Sequence, residues 1–444
     1  MRRPFARAAE MARVRPSPHR LARSGGSLAG ALLLAAAVAA PLFAQWPPWL
    51  VGKEAKPPVF PEIAVDAAWL REHLSEVVVL DARSGGRPGG HIPGAIAFDP
   101  AGVDAGFALG GSDGSRLPAG GEIVCYGSRE DPVPPARLFW LLELAGRDGV
   151  LFLNGGYESW VEGGGEVARS ERARLVVEHA SPVDSTRVAT LAYMREHHGT
   201  GGFEVIDLRD TTSWEGSDRP RPNNLRPGHI PHALPFDPRT VIAEDGLILT
   251  GPEIRAVFGE VGPRPSTRID LESEMLLYDD GASGEGALAY LLLRMAGIEK
   301  VRWFPGGYPE WAADPALPVV RIVGAREVED RLKRRERGRG APESDLVLID
   351  VRNRRDFEIN HVPGAVCLPS HLFRDSLDVF LEEVRPGIDR TATPLATYCY
   401  GEDCIRSRQC ATWAARAGFR ELLWFHGGIR EWKEERLPVE GKFE

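Results

Sequence analysis

Cysteine is the residue type in this chain best suited to covalent chemistry, and it is unevenly distributed. Three of the five cysteines, Cys399, Cys404 and Cys410, lie in the segment LATYCYGEDCIRSRQCATWAARAGF near the carboxyl end. A thiolate can attack an electrophile, bind a soft metal ion or pair with a second thiol. Cys399 and Cys404 have no histidines beside them at metal-ligand spacing, so neither a metal nor another cofactor is expected. The segment therefore predicts nucleophilic or redox chemistry of sulfur.

The elements that must position these thiols belong to a pattern that occurs three times along the chain. Each copy opens with an apolar run, Asp-x-Arg and His-(Ile/Val)-Pro. It continues with an apolar run ending in Tyr, a polar loop and a helix-like stretch ending in Ala-Gly, and it closes with Gly-Gly-x-x-x-Trp. The openings are VVVLDARSGGRPGGHIPGAIAFDP, FEVIDLRDTTSWEGSDRPRPNNLRPGHIPHALPFDP and LVLIDVRNRRDFEINHVPGAVCLP. Short apolar runs alternating with helical patterns predict β-α-β units around a parallel sheet covered on both faces.

These motifs, in this fixed order, resemble the rhodanese family over nearly everything from Phe60 to Leu437. The resemblance implies three tandem rhodanese-like domains of α/β fold, each a five-stranded parallel sheet flanked by helices. We expect these domains at residues 59–180, 184–318 and 320–440. The resemblance also implies sulfurtransferase activity, in which the cysteine that opens the loop after the Tyr-ended strand carries sulfane sulfur as a persulfide.

Only the third copy has a nucleophile at that position. The residue after the strand tyrosine is Gly127 in the first copy, Asp279 in the second and Cys399 in the third. Cys399 is therefore the predicted catalytic residue, and the first two copies are predicted to be inactive scaffold. The cysteines interpreted as structural residues of the interior are Cys125, Cys367 and Cys410.

The loop after Cys399 is predicted to bind the anionic substrate. Its predicted members besides the cysteines are Tyr400, Gly401, Glu402, Asp403, Ile405, Arg406 and Ser407. Backbone N–H groups of a strand-to-helix loop, together with the following helix N-terminus, stabilise an anion and lower the pKa of a thiol from its usual ~8.5. Ser407 is expected to cap a helix that begins near Arg408. Arg406 either binds the anion or is a solvated arginine at the helix start.

Cys404 is the candidate second thiol. The loop is longer than the C-x-x-G-x-R loop of active rhodaneses, and it fails the C-x5-R signature of related phosphatases because Ile405 stands where the arginine should be. Cys404 could form a disulfide with Cys399 or resolve its persulfide, and the spacing permits both without requiring either.

Three functions remain open at this point. The first is a sulfurtransferase that moves sulfane sulfur from thiosulfate or a similar donor to a thiol or cyanide. The second is a non-catalytic rhodanese-like scaffold that binds a partner. The third is a dithiol redox protein that uses Cys399 and Cys404.

The Asp-x-Arg pairs and the turn histidines are interpreted as structural, because they also occur in the copies without a nucleophile. The pairs are Asp81/Arg83, Asp207/Arg209 and Asp350/Arg352. The histidines are His91, His229 and His361.

Charge and the N-terminal segment limit the partners and the location. A net charge of −9 argues against a nucleic-acid partner. Residues 1–52 contain an arginine-rich flank followed by an uncharged stretch from Ser24 to Gly52, which predicts a cleaved signal peptide or a single N-terminal membrane anchor. The rest of the chain is then exported to the periplasm or the outer face of the cytoplasmic membrane. The expected partners are a small sulfur-containing anion and a thiol acceptor.

Overall fold

The part of the chain that the structure describes consists of three successive α/β segments. The computed structural model describes residues 61–83, 89–100, 107–111, 120–169, 175–179, 184–217, 225–259, 269–336 and 346–442, with backbone only at 107–111, 175–179 and 335–336. The predicted signal or anchor at residues 1–52 lies outside the described residues. Within them, no helix combines the length and the apolar character that crossing a membrane requires.

The first segment is built on a five-stranded parallel sheet. Its elements are β1 (Ala64–Val65), α1 (Ala67–His73), β2 (Val78–Asp81), β3 (Ile96–Ala97), β4 (Phe107–Gly111), β5 (Ile123–Tyr126), α2 (Val133–Leu144), β6 (Val150–Leu153), α3 (Gly156–Glu162) and β7 (Leu175–His179). The strand order of the sheet is β1-β6-β5-β2-β3, and β4 pairs with β7 as a separate antiparallel ribbon.

The second segment has four strands, so the predicted five-stranded sheet is wrong for this domain. Its elements are α4 (Leu191–His197), β8 (Phe203–Asp207), α5 (Thr211–Glu215), β9 (Leu234–Pro235), a 3₁₀ turn (Pro238–Val241), α6 (Gly251–Gly259), β10 (Glu274–Tyr278), α7 (Glu285–Met295), β11 (Val301–Phe304) and α8 (Gly307–Ala313), with strand order β11-β10-β8-β9. At the edge where the fifth strand was expected, Val188 makes one parallel bridge to Trp303. The side chain of Thr190 then accepts the N–H of Tyr193 and starts α4, so the extended stretch ends after that bridge.

The third segment again has five parallel strands. Its elements are β12 (Val319–Val323), α9 (Ala325–Glu336), β13 (Val347–Asp350), α10 (Arg354–Ile359), β14 (Val366–Cys367), α11 (Ser370–Val384), β15 (Leu395–Tyr398), α12 (Arg406–Arg416), β16 (Glu421–Phe425) and α13 (Gly428–Glu434), with strand order β12-β16-β15-β13-β14. All four residues of β15 are buried, as expected of a central strand covered on both faces. Because parallel strands end at one edge of a sheet, the loop after β15 lies between the ends of β13 and β16.

The first two segments share one hydrophobic core, whereas the third has its own. In the shared core the ring of Trp140 meets that of Trp303 edge-on, with centroids 4.6 Å apart. The core of the third segment includes one side chain from the second, Trp214 of α5, whose ring lies 6.3 Å from that of Trp424. The described residues all belong to one compact unit that begins at Val59.

Candidate active site

Cys399 follows the last residue of β15 and stands at the carboxyl edge of the third sheet. Its carbonyl oxygen accepts the backbone N–H of Ile429, near the start of α13, at 3.1 Å. The same bond occurs in the other segments, from Tyr308 to Asp279 (2.9 Å) and from Tyr157 to Gly127 (2.9 Å). Residues 127, 279 and 399 are therefore structurally equivalent, as the comparison of the three copies predicted.

A disulfide joins Cys399 to Cys404 across the loop, with the two Cα atoms 6.2 Å apart. The backbone N–H of Cys404 donates to the carbonyl of Gly401 at 2.8 Å, and this turn brings the second cysteine back over the first. Cys399 is 1% exposed, and Cys404 is half-buried. The structure thus realises one of the two arrangements that the spacing left open, and in this state Cys399 is not a free thiolate.

Tyr400 forms one side of the loop. Its hydroxyl donates to the carboxylate of Asp356 and accepts from the side-chain amide of Asn353 at 3.2 Å. Burial and the hydrogen bond to Asp356 raise the pKa of the Tyr400 phenol, which stays protonated near pH 7. The guanidinium of Arg352 lies 5.6 Å from the ring centroid of Tyr400. These contacts fix the position of the phenol at the surface, where the Tyr400 side chain is partly exposed to solvent.

The opposite side of the loop carries two exposed carboxylates, those of Glu402 and Asp403. Arg430 on α13 pairs with Asp403 at 3.5 Å. Burial lowers the pKa of His426, and its neutral ring donates from Nε2 to the carbonyl of Glu402 at 3.0 Å. Gly401 is buried next to Arg430, so this half of the loop is held from the side of α13.

The helix after the loop begins two residues earlier than predicted, at Arg406, and Ile405 is its N-cap residue without a side-chain cap bond. Ser407 is therefore not the cap. Its hydroxyl accepts the indole N–H of Trp424 at 3.0 Å and donates to the carbonyl of Cys404 at 3.4 Å. Arg406 is exposed, which agrees with the solvated arginine of the two alternatives. The Ser407 hydroxyl therefore accepts the buried indole N–H of Trp424 and does not cap the helix.

The Asp-x-Arg pair of each copy forms a buried cluster with the strand tyrosine. In the third segment Arg352 donates to Asp350 at 2.7 Å, and the hydroxyl of Tyr398 accepts the N–H of Val362 at 3.1 Å. Burial and the nearby Asp350 charge raise the pKa of Tyr398. The equivalent ion pairs are Arg83–Asp81 (2.7 Å) and Arg209–Asp207 (2.6 Å). The recurrence of these pairs in all three segments agrees with their interpretation as structural.

The second segment shows what such a loop does with a charged side chain. The carboxylate of Asp279 accepts the backbone N–H groups of Gly281 at 2.8 Å and Gly286 at 3.0 Å. Burial raises its pKa to about 6, while the two amide bonds act in the opposite direction. Two loop amides thus donate to the side chain at this position, and the Asp279 carboxylate itself fills the space that they face.

The first segment has no room for a side chain at the equivalent place. A Cβ atom at Gly127 would lie 2.6 Å from Cδ of Pro135. The side of the loop is also covered by the second segment, because the side-chain amide of Asn154 bonds both backbone groups of Ile248 at 2.8 and 2.9 Å. Cys125 is fully buried on β5, as the sequence indicated.

Residues of the second segment that support the site were not predicted. Trp214 packs against Trp424, which in turn bonds Ser407 at the start of α12. Arg408 of α12 donates to the carbonyl of His232 at 2.8 Å. The sequence places Trp214 in the opening of the second copy, which is longer than the other two, but it does not indicate which residue Trp214 contacts.

Comparison with known proteins gives the family. The Rhodanese-like domain matches this chain at residues 66–163, 190–314 and 330–435. The chain belongs to the rhodanese family. Its three rhodanese-like domains are the three segments described above, and the prediction from the motifs is confirmed at the level of the family.

Curated relatives of this rhodanese-family protein are named sulfurtransferases. The thiosulfate sulfurtransferase of Corynebacterium glutamicum is 26% identical over 286 residues, covering 58% of this chain and 90% of the relative. The 3-mercaptopyruvate sulfurtransferase of Escherichia coli is 27% identical over 295 residues, covering 58% of this chain and 98% of the relative. Among solved structures, an anaerobic ergothioneine biosynthesis enzyme from Chlorobium limicola matches with a TM-score of 0.47 and 19% identity, over 61% of this chain and 74% of that one.

Proposed function

We propose that this protein is a sulfurtransferase in which Cys399, once reduced, takes sulfane sulfur from a small anionic donor such as thiosulfate. The thiolate attacks the outer sulfur, sulfite leaves, and a thiol or cyanide then removes the sulfur from the persulfide. The first two rhodanese-like domains serve as scaffold.

The proposal is supported above all by the residue that occupies the common position of the three domains. Gly127 offers no side chain, and Asp279 is already bonded to two loop amides. Cys399 alone supplies a nucleophile there. The names of the curated relatives agree with this chemistry.

A sulfur-transfer assay tests the proposal. The protein is reduced, freed of reductant and mixed with thiosulfate, and released sulfite is measured with cyanide present as the acceptor. We expect both sulfite and thiocyanate from the wild type, and a loss of about 10³-fold or more in Cys399→Ser because the nucleophile is gone.

The matched control replaces the equivalent residue of the second domain. Asp279→Asn retains a side chain of similar size in the second domain and leaves Cys399 unchanged. Its rate of sulfite release should therefore equal that of the wild type. Sulfite release that survives in Cys399→Ser would refute the assignment of the nucleophile. No sulfite from thiosulfate and no pyruvate from 3-mercaptopyruvate would instead favour the binding scaffold or the redox protein.

A second candidate function is a dithiol redox protein, and the Cys399–Cys404 disulfide favours it. Such a protein would exchange electrons with partner thiols without taking up sulfur. The same experiment separates the two, because a redox protein would release no sulfite.

The proposal includes export of the three domains. Its support is the arginine-rich and uncharged sequence of residues 1–52. N-terminal sequencing of the protein from membrane and soluble fractions of its source cells distinguishes a cleaved signal from an anchor. An intact leader in a cytoplasmic fraction would refute export.

A further inference from the structure

The disulfide covers the nucleophile on which the proposed function depends. With both sulfurs bonded to each other, Cys399 cannot accept a sulfane sulfur. The disulfide is therefore either an oxidation product that only inactivates Cys399 or a product of the reaction cycle. The surroundings of the two cysteines distinguish these alternatives.

Cys404 is held where it can reach Cys399 in every turnover. Its backbone N–H is bonded to Gly401, and its carbonyl accepts the hydroxyl of Ser407, which the buried Trp424 fixes in turn. The Cα separation of 6.2 Å lies within the usual range for a disulfide. Reduction would leave this backbone in place, so the two sulfurs remain within reach after side-chain rotation alone.

The other thiol near this site is not suited to the same role. Cys410 lies in the same hydrophobic cluster as Cys399, but it is fully buried on α12, and burial raises its pKa well above the usual range. A thiol kept protonated in an apolar environment is a poor nucleophile. Cys404 is half-buried and opens to solvent beside Glu402 and Asp403.

The unequal exposure of the two cysteine residues also gives reduction a direction. An external dithiol meets the half-buried Cys404 first, because Cys399 is 1% exposed. Attack on the Cys404 sulfur expels Cys399 as a thiolate. Reduction by this route regenerates the nucleophile in its reactive form.

We infer that Cys404 is the resolving thiol of the site and that the protein reduces sulfane sulfur to hydrosulfide. The inference rests on the proposed function, since it begins from the Cys399 persulfide. The Cys404 sulfur attacks the inner sulfur of Cys399–S–S⁻, a bond forms between the two cysteines, and the outer sulfur leaves with the Cys404 proton as HS⁻. The two cysteines lose two electrons, and the sulfane sulfur gains them. An external dithiol then reduces the disulfide for the next cycle.

A single turnover without any external acceptor tests this step. The protein is reduced, freed of reductant under anaerobic conditions and mixed with thiosulfate, and sulfite, hydrosulfide and the intact mass are followed together. The wild type should release one sulfite and one hydrosulfide per chain and lose two hydrogens of mass. Cys404→Ser should release one sulfite, no hydrosulfide, and gain the mass of one sulfur atom.

Cys367→Ser is the matched control, because Cys367 is another half-buried cysteine of the same domain and lies outside the loop. This variant should behave as the wild type. A stable persulfide on the wild type without hydrosulfide would overturn the inference and leave the proposed function intact. Hydrosulfide from Cys404→Ser at the wild-type amount would also overturn it. Absence of sulfite from every variant would reject the proposed function itself, and the inference with it.

Discussion

The carbonyl of Cys399 is tied to α13 through a close approach that only glycine allows. Gly428 has φ of +57°, and a Cβ atom there would lie 2.4 Å from the Cys399 carbonyl oxygen and 3.0 Å from the Gly401 nitrogen. The equivalent glycines of the other domains, Gly156 and Gly307, also have positive φ. The second glycine of the pair that closes each copy is thus explained by backbone contact with residue 127, 279 or 399.

Gly428→Ala should deform the cysteine loop. We expect it to lower the free energy of unfolding by about 2–4 kcal/mol, through strain at positive φ and overlap with the Cys399 carbonyl. Sulfite release from thiosulfate should fall at least about tenfold, because a small displacement of a reacting group has a large effect on rate. Urea unfolding and a stopped assay for sulfite measure the two effects.

Gly364→Ala provides the control for backbone strain alone. Gly364 lies in the same domain with φ of +74°, and a Cβ atom there would meet nothing within 4 Å. Gly364→Ala should lower the free energy of unfolding by about 1 kcal/mol and leave sulfite release unchanged. Equal effects of the two alanines on stability would show that the contact with Cys399 is unimportant.

Helix α12 is fastened to the sheet at its first turn. Ser407 lies below the cysteine loop and is 1% exposed, and its carbonyl accepts the hydroxyl of Thr397 on β15 at 2.8 Å. Its own hydroxyl accepts the indole N–H of Trp424 on β16. One residue therefore connects the helix to two neighbouring strands, and the orientation of the loop depends on that connection.

Ser407→Ala should destabilise the third domain by about 1–3 kcal/mol, because the buried indole N–H of Trp424 loses its acceptor. The free energy of unfolding from urea titration, followed by tryptophan fluorescence, is the measurement. Gln409→Ala, at an exposed position of the same helix, should change stability by less than about 0.5 kcal/mol. An unchanged unfolding midpoint in Ser407→Ala would contradict this account of the helix start.

The second domain supports the third through partly buried polar contacts. Arg416 of α12 donates to the carbonyl of His198 at 3.1 Å, and Arg408 donates to that of His232. His198 is 5% exposed, and burial, aided by the nearby Arg416 charge, lowers its pKa to about 4. His232 is a half-buried residue, and burial together with the Arg408 charge lowers its pKa to about 3, so its contact with Glu204 at 3.7 Å joins a neutral ring to the carboxylate at pH 7.

Acid should weaken this contact between domains. A histidine whose pKa is lower in the folded state than its ordinary 6.5 contributes stability that is complete above pH 6.5 and is lost as pH falls towards 4. For His198 the whole effect is on the order of 3 kcal/mol, at about 1.4 kcal/mol per pKa unit. Calorimetric melting of the wild type and His198→Gln at pH 7 and pH 4.5 should show a smaller loss on acidification in the variant.

His371→Gln controls for the general effect of removing a histidine. His371 is exposed on α11, so its replacement should leave the acid dependence of melting as in the wild type. If His198→Gln melted with the same dependence on pH as the wild type, the buried histidine would not be a source of acid sensitivity.

The sequence by itself determined the repeated fold and the position at which the three copies carry Gly127, Asp279 and Cys399. Apolar runs without alternation specify strands buried on both faces, and the segments between them specify helices, because these are local properties of the chain. Comparison of the copies aligned Gly127, Asp279 and Cys399, since the same strand, loop and helix surround each of them. The family follows from those motifs and is confirmed by comparison.

Only the tertiary structure decided how the cysteine loop is held and which residues of other domains support it. The spacing of Cys399 and Cys404 allowed a disulfide, but closing it depends on the turn at Gly401 and on the position of α12. Ser407 was expected to cap a helix, and its actual partner, Trp424, lies on a strand formed later in the chain. Trp214 enters the core of the third domain from the second. Such contacts join residues far apart in sequence, and their energy depends on packing that no local pattern records.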